Sequence, residues 1–438
     1  MAKELNHLRE GLDLLSTAIS QRLYYFFSKQ EQAPARILPV DTAIPKIKSI
    51  PTLNAEEFVI MTMALAPHIV PGFFDTAIQQ YLPQGGEFPE LGGIKTGNQR
   101  GMQPTGETAL FVLAGMDVSE RLRVSRYFSA DHFFYKKNIL WLDTTQSGEP
   151  AFSGRLVLSQ EYVDLLLLGK ASRPRFSSSF PAKHIETGLG WDDLVLSAES
   201  MQQVLELQTW LQHKKTLMSG LKMDKKLKKG YRVLFHGPPG TGKTLTATLL
   251  GKHTKREVYR VDLSMVVSKY IGETEKNLEA LFARAEAKDW ILFFDEADAL
   301  FGKRTGVRDA HDKYANQEVS YLLQRVEDFD GLVILASNMK SNIDEAFIRR
   351  FNAIIRFTQP KPDERERIWK NSFPEKMAFG NNEDVPALVK QYELSGGSIV
   401  NVVQYACLVT LAKGSKEIFL GDVVEGIKRE MHKEGKPF

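Results

Sequence analysis

One short glycine-rich stretch of the sequence has the spacing needed to hold phosphate. It reads GPPGTGKT, residues 237–244, and it lies between the apolar YRVLFHG and the helix-forming LTATLLGKH. Glycines here let the backbone turn tightly, so that successive N–H groups and the positive end of the helix point at phosphate oxygens. In this Walker A spacing the Lys243 ammonium reaches the outer phosphates and the Thr244 hydroxyl ligates Mg²⁺. The residues predicted to bind nucleotide are Pro239, Gly240, Thr241, Gly242, Lys243, Thr244 and Leu245.

Two adjacent acids follow a second apolar stretch, WILFFDEADAL. Asp295, at the end of the predicted strand, is placed to hold Mg²⁺ through water, and Glu296 is placed to polarise an attacking water as general base. A third predicted strand, LVILASN, ends in Asn338, which could hold that water in line. The three stretches together predict ATP as substrate, Mg²⁺ as cofactor and hydrolysis as the reaction.

The letters D-E-A-D also name a class of RNA helicases. A helicase of that class would need a Ser-Ala-Thr motif and a His-Arg-x-x-Arg motif, and the sequence contains neither string. The acids are therefore interpreted as a Walker B motif.

Upstream of the glycine loop the sequence predicts an α+β domain over residues 1–185, in which no motif indicates a catalytic or binding function. Leucines and aromatic residues at three- and four-residue steps predict a helix over 5–28, and Asn54 is a good N-cap for a second one. GGIKTGNQRG is glycine-rich, but it lacks the Gly-Lys-Ser/Thr ending and no strand leads into it, so a plain loop is the interpretation. A stretch rich in Ser, Pro and Gly, SRPRFSSSFPAKHIETGLGWDDLVLS, is interpreted as the seam between domains.

Composition narrows the class of protein. Hydrophobic residues make up 43% and charged residues 25%, as in soluble globular proteins, and the net charge is only +3. The sequence favours a cytoplasmic protein without membrane contact, because the start lacks an export signal, the single Cys407 forms no internal disulfide, and no apolar run reaches ~20 residues. A lysine cluster over residues 222–229 is interpreted as a solvated surface, and nucleic acid is not the expected partner.

In order and spacing, these motifs resemble the AAA clade of the AAA+ ATPases over residues 188–438. SNIDEAFIRRFNAIIRF resembles the clade's second region of homology, and Arg349 and Arg350 match its two finger positions, although the usual two-residue spacer is missing. WDDLVL resembles the adenine-side turn, which implies backbone contacts to the base at Asp193 and Val195. LSGGSIVNVVQ resembles the start of the lid helix, which implies that Gly396 and Gly397 approach adenine and ribose.

The resemblance implies an α/β fold, a parallel five-stranded sheet flanked by helices over residues 188–360, followed by a small helical lid over 361–438. It also implies a homo-oligomeric ring, a hexamer as is typical of the family, because an arginine finger completes the neighbour's site. SKYIGETEKNLEALFARA resembles pore loop 1, in which Tyr270, Ile271 and Gly272 would grip a threaded protein client; a core tyrosine at a helix boundary is the alternative. Residues 302–315 lie where a second pore loop would be.

Phrases spread over the whole chain, among them PTGETALFVLAG and DWILFFDEADALFGKRT, look similar to the AAA ATPases encoded with phage-tail-like contractile injection systems. This resemblance implies a factor that assembles, loads or turns over components of such a particle, with the N-terminal domain as adaptor. Two other functions stay open at the level of sequence. One is a nucleic-acid-stimulated motor, suggested by the lysine cluster, and the other is a scaffold whose assembly the nucleotide controls.

Overall fold

The computed structural model describes residues 2–28, 37–38, 44, 46–47, 50–83, 88–95, 97, 101–178, 180–266, 273–298, 320–338, 345–374, 376–379 and 391–437. The chain forms two compact units, Met1–Pro174 and Arg175–Phe438. In the described part, no single helix has both the length and the apolar character to cross a membrane; one pair bent by 101°, Ala55–Ile69 with Phe73–Gln79, meets that test jointly.

The first unit packs helices around a two-stranded antiparallel ladder. Its helices are α1 (Ala2–Phe27), α2 (Ala55–Ile69), α3 (Phe73–Gln79), α4 (Gly106–Ala114), α5 (Val118–Ser125), α6 (Phe133–Lys136) and α7 (Gln160–Leu168). Strand β1 (Leu140–Leu142) pairs with β2 (Leu156–Leu158). Leu15, Ile19 and Leu23 of α1 are buried at the four-residue steps that the sequence pattern predicted.

Local capping fixes where two central helices of this unit begin. Asn54 and Glu57 form a reciprocal capping box at the start of α2, each side chain accepting the other residue's backbone N–H at 2.8 Å. Thr105 and Thr108 form the equivalent pair at the start of α4. These caps satisfy N–H groups that a helix start leaves without an internal partner.

The second unit is built on a six-stranded sheet in the order β3-β5-β6-β7-β4-β8. All neighbouring strands are parallel except β3, which pairs antiparallel with β5 at the edge. Alternate residues of the central strands enter two separate cores, one on each face. The strands are β3 (Ala182–Ile185), β4 (Tyr231–His236), β5 (Val258–Val261), β6 (Ile291–Phe294), β7 (Leu332–Ser337) and β8 (Ala353–Arg356).

Helices cover both faces of this sheet, and a smaller helical group with its own core follows it. The helices beside the sheet are α8 (Ala198–Lys215), α9 (Lys243–Thr254), α10 (Leu263–Val266), α11 (Glu273–Lys288) and α12 (Glu345–Ile348), and residues 320–328 are also helical. The smaller group contains α13 (Pro362–Ser372), α14 (Gly396–Ala412), α15 (Leu420–Lys433) and the short parallel pair β9 (Ala378–Phe379) and β10 (Glu417–Ile418).

Two features differ from the sequence prediction. The sheet has a sixth, antiparallel strand, β3, where five parallel strands were expected. That strand also moves the division between the units, because its ladder with β5 ties residues 175–185, which were expected in the first domain, to the second unit. The polar sequence AKHI gives no strand pattern by itself, and its partner lies far along the chain.

Candidate nucleotide-binding site

One cleft of about 660 Å³ in the second unit collects the residues that the sequence singled out for nucleotide and metal. It lies at the carboxyl ends of the parallel strands, where open α/β sheets bind their ligands. The predicted residues that line it are Asp193, Val195, Pro239, Gly240, Thr241, Gly242, Lys243, Thr244, Leu245, Asp295, Glu296, Asn338, Gly396 and Gly397.

The glycine loop connects the end of β4 at His236 to the start of α9 at Lys243. Gly240 and Gly242 have φ of +74° and +99°, in the left-handed region that residues with a Cβ rarely adopt. Gly242 is the N-cap of α9 and has no side chain to satisfy the free N–H groups of the first turn. A phosphate at this helix start would accept those N–H groups, so the loop fits a polyphosphate ligand.

The Lys243 side chain is buried and points back into its own loop. Its ammonium donates to the carbonyls of Gly237 at 2.6 Å and Pro238 at 2.9 Å, and to Asn338 Oδ1 at 3.2 Å. Burial lowers the pKa of Lys243, and the nearby Asp295 and Asp298 carboxylates oppose that shift. The three acceptors therefore hold a cation that incoming phosphates would compete for.

Asp295 and Glu296 follow the last residue of β6, and Asn338 follows the last residue of the neighbouring β7. Glu296 is exposed and has φ of +50°, a conformation uncommon for a residue with a side chain. Its own N–H donates to Asp295 Oδ1 at 3.1 Å. The positive φ of Glu296 turns the backbone at this point, and the carboxylates of Asp295 and Glu296 both line the cleft.

The donors suit Mg²⁺ that arrives with its nucleotide. Among the described residues no group of three or more His, Cys, Asp or Glu side chains could hold a metal ion. Mg²⁺ commonly takes one or two protein oxygens and completes its shell with water and substrate phosphates. Thr244 and Asp295 supply oxygens of that kind at the cleft.

Three side chains fix the turn that carries Asp193 and Val195. The Asp193 carboxylate accepts the Gly190 N–H at 2.7 Å, so this aspartate shapes its own turn. Lys252 of α9 donates to the Gly188 and Leu189 carbonyls at 3.1 and 2.6 Å. Asn371 of α13 donates to the Asp192 carbonyl at 2.6 Å. The turn is thereby connected both to the helix of the glycine loop and to the smaller helical group.

The start of α14 contacts the glycine loop directly. The Gly397 N–H donates to the Gly240 carbonyl at 2.9 Å. A Cβ built on Gly240 would lie 2.6 Å from Ser395 Oγ, and one built on Gly397 would lie 3.1 Å from Gly240 Cα. Close packing between the loop and α14 therefore disfavours a side chain at Gly240 and leaves little room for one at Gly397, in addition to any contact with a ligand.

Sequence reasoning missed the part of the cleft that α13 supplies. Glu364, Ile368, Asn371 and Ser372 of this helix line the cleft, together with Leu189 and Leu194 from the opposite side. The apolar members could enclose a flat base. The helix is recognisable in the sequence from its N-terminal proline, but which of its faces would meet the glycine loop depends on packing between distant segments.

The two predicted finger arginines do not line this cleft. Arg350 pairs with Glu327 at 2.7 Å and stacks on Phe347, whereas Arg349 is exposed and has no hydrogen bond or ion pair with any described residue. Tyr270, Ile271 and Gly272, and residues 302–315, lie outside the described residues.

One protein family and several known proteins are similar to this chain in sequence. Residues 233–359 match the family described as "ATPase family associated with various cellular activities (AAA)". The chain is 33% identical over 198 residues to proteasome-activating nucleotidase 2 of Halobacterium salinarum, covering 43% of this chain and 48% of that protein. The proteasome-activating nucleotidase of Aeropyrum pernix is 35% identical over 205 residues, covering 45% and 50%.

A third relative, the peroxisomal ATPase PEX6 of Saccharomyces cerevisiae, is 28% identical over 287 residues, covering 64% of this chain and 26% of that protein. The chain spans about half the length of the two nucleotidases that it matches. The residues matched by the family, 233–359, include the glycine loop, the two acids and Asn338, all of which line the one cleft. Residues 233–359 therefore form an ATPase domain of the AAA family.

Proposed function

We propose that the protein hydrolyses ATP with Mg²⁺ in a homo-oligomeric ring and uses that hydrolysis to remodel a protein client. The observation that carries the proposal is the convergence of the glycine loop, the two acids and Asn338 on one cleft. Each group comes from the end of a different strand or the start of a helix, so the sheet holds them rigidly.

In the proposed reaction the ammonium of Lys243 leaves the Gly237 and Pro238 carbonyls and binds the outer phosphates. As the attacking water forms its bond to the γ-phosphorus, the bond from that phosphorus to the oxygen that leaves with ADP breaks. Glu296 accepts the proton of the water, and Asn338 orients that water. Mg²⁺ bound by Thr244, and by Asp295 through water, would neutralise charge that develops on the phosphates.

The proposed ring is supported by the residues that line the cleft. Among the residues that the structure describes, no arginine lines it, although charge on a transferred phosphoryl group is commonly stabilised by one, worth ~10³–10⁵ in rate. Arg349 and Arg350 are exposed beyond β7 and before β8, where a neighbouring copy could receive them. Six copies are proposed by resemblance to the AAA clade.

The class of client is proposed from the relatives. Two of them are named as proteasome-activating nucleotidases, which refers to the proteasome, and the third is named as a peroxisomal ATPase. Threading through a central channel by Tyr270 is the proposed means, and replacing Tyr270 with Ala should abolish client processing while ATP hydrolysis survives. A role in assembling, loading or turning over a contractile injection particle stays a hypothesis, and it rests only on the short sequence stretches that resemble the ATPases of those systems.

A complementation experiment tests the shared site. One variant, Lys243→Ala, has no functional glycine loop but intact arginines; the other, Arg349→Ala with Arg350→Ala, has the reverse. Each alone should hydrolyse ATP at background rate. Mixing them should restore a substantial fraction of the wild-type rate, because the first variant donates its arginines to the second variant's cleft.

The Lys243→Ala variant mixed with a Glu296→Gln variant is the matched control. Both carry defects in the cleft itself, so no arrangement of subunits gives a complete site, and the mixture should stay inactive. Activity restored in this control as well, or wild-type activity from an isolated monomer, would rule out the trans arrangement.

A further inference from the structure

The first unit contains a polar cavity of about 160 Å³ beside strand β2, separate from the nucleotide cleft of the second unit. We call it the β2-edge pocket. One wall is the C-terminal end of α2, another is the segment before α4, and the third is β2 itself. Its lining residues are Ala64, Pro67, His68, Gln103, Pro104, Arg155, Leu156, Val157 and Leu158. Since water occupies about 30 Å³ per molecule in the liquid, the space corresponds to roughly five waters, or one amino-acid side chain.

A proline leaves the edge of β2 incomplete at this pocket. The segment before α4 runs antiparallel to β2, with the Leu156 N–H donating to the Pro104 carbonyl at 2.9 Å and the Gly106 N–H donating to the Gly154 carbonyl at 3.0 Å. The reciprocal bond, from residue 104 to the Leu156 carbonyl, cannot form because proline has no N–H. The ladder therefore stops at Pro104.

The next position along the same edge is Leu158. The register of β1 with β2, and the bond from the Ser159 N–H to the Ile139 carbonyl, show that Val157 faces β1 and that the N–H and carbonyl of Leu158 face away from it. Within the described part of the chain neither group has a backbone partner, and Leu158 is only 5% exposed. Buried backbone groups of this kind take a partner from water or from a ligand.

Positive charge lies beside this open edge. Arg155 donates one bond to Gln103 Oε1 at 3.1 Å and one to Asp143 Oδ2 at 3.0 Å, which uses two of the five N–H donors of a guanidinium. His68 lines the opposite wall. Burial lowers the pKa of His68 and the charge of Arg155 lowers it further, so the guanidinium field reaches across the pocket.

We propose that the β2-edge pocket binds an extended peptide that carries a carboxylate. The peptide backbone pairs with the N–H and carbonyl of Leu158 and the carboxylate binds Arg155, with His68 against it. Strand addition of this type takes its affinity from main-chain bonds and its selectivity from one pocket. The carboxylate is either the C-terminus of the peptide or an acidic side chain. The site lies in the unit without the nucleotide cleft, so its occupancy is measurable without ATP and is separate from the proposed hydrolysis.

Three fluorescein-labelled peptides test the proposal on the full chain by fluorescence anisotropy. The first is Thr-Val-Thr-Val-Thr-Val with a free C-terminus, the second is the same peptide with a C-terminal amide, and the third is Thr-Val-Thr-Val-Glu-Val amide. Backbone pairing needs no particular sequence, so at least one carboxylate-bearing peptide should bind and the neutral amide should bind at least about 10-fold more weakly. Binding of the first alone identifies a C-terminus as the ligand, and binding of the third identifies a side chain.

Two substitutions of opposite sign complete the test. Arg155→Gln should weaken binding at least about 10-fold, and Asp143→Asn should strengthen it several-fold because it removes the carboxylate that competes for the guanidinium. The Asp143→Asn result stands even if Arg155→Gln impairs folding, which circular dichroism would report. No binding of either carboxylate-bearing peptide at 1 mM, or equal affinity in the wild type and both variants, overturns the proposal.

Discussion

The ammonium of Lys243 lies 3.2 Å from Oδ1 of Asn338, so the predicted phosphate-binding lysine and the predicted water-orienting asparagine are hydrogen-bonded to each other. Two carbonyls of the glycine loop hold the same ammonium at 2.6 and 2.9 Å. ATP would exchange these acceptors for phosphate oxygens and release the Asn338 amide to the attacking water. In the proposed mechanism, nucleotide binding would thus be coupled to assembly of the hydrolytic residues.

Asn338→Ala should separate binding from hydrolysis. The glycine loop and Lys243 are unchanged in this variant, so ATP should bind within a few-fold of the wild-type Kd, whereas kcat should fall by about 10²-fold through loss of a positioned polar group. Fluorescent-nucleotide titration and phosphate release measure the two quantities. Asn401→Ala, an exposed change in α14, is the matched control and should alter neither. An Asn338→Ala variant with wild-type kcat would remove this residue from the proposed mechanism.

Glu296→Gln should bind ATP and fail to hydrolyse it. The amide keeps the size and hydrogen-bonding shape of the carboxylate but cannot accept the proton of the attacking water, so kcat should fall by about 10²–10⁴-fold. Glu366→Gln removes a carboxylate that pairs with Lys370 and should keep the wild-type rate. Retained turnover in the Glu296→Gln variant would mean that another base acts.

Which of these features the sequence could predict depends on how local they are. The glycine loop and the two acids are contiguous, so their spacing alone predicts a strand, a turn and a helix start. Asn371 and Lys252 each hold a carbonyl more than sixty positions away in the chain, and nothing in their immediate neighbours indicates it. The strand AKHI, β3, is also hard to predict from its own residues. It forms because it pairs with β5 at the edge of a sheet that other segments build.

Arg349 and Arg350 should contribute unequally. Arg350 is engaged by Glu327 at 2.7 Å and by the ring of Phe347 within its own protomer, whereas Arg349 is exposed without such a contact among the described residues. Arg349→Ala should therefore lower kcat more than Arg350→Ala does. The expected loss is ~10³-fold or more, which is the contribution of an arginine finger, and ATP affinity should be largely retained. Arg367→Ala, an exposed change in α13, serves as the control. A larger loss of kcat in Arg350→Ala would reverse the assignment.

The hydroxyl of Tyr127 donates to Glu56, in the first turn of α2, and this contact should make the stability of the first unit sensitive to alkaline pH. Burial, together with the 2.7 Å hydrogen bond to Glu56, raises the pKa of Tyr127 to about 12, from the ordinary value near 10. A raised folded-state pKa gives stability that is complete below about pH 10 and is lost as the pH rises toward 12. The urea midpoint should thus fall over this range in the wild type.

In Tyr127→Phe that alkaline fall should be smaller, because the titrating group is gone, although the midpoint near pH 8 should be lower through loss of the bond to Glu56. Tyr135→Phe, which removes an exposed hydroxyl from α6, should retain the wild-type slope. Equal slopes in wild type and Tyr127→Phe would show that this phenol does not link stability to pH.

Gly240→Ala should damage the cleft through its backbone alone. A side chain at φ of +74° costs roughly 1–2 kcal/mol, and the added Cβ would lie 2.6 Å from Ser395 Oγ at the start of α14. The loop must then move away from α14, so we expect a lower thermal midpoint and at least about 10-fold weaker ATP binding. Gly421→Ala is the matched control, because a Cβ there meets nothing within 4 Å and α15 gains a better helix former. Unchanged ATP affinity in Gly240→Ala would show that the contact between the loop and α14 opens before the nucleotide binds.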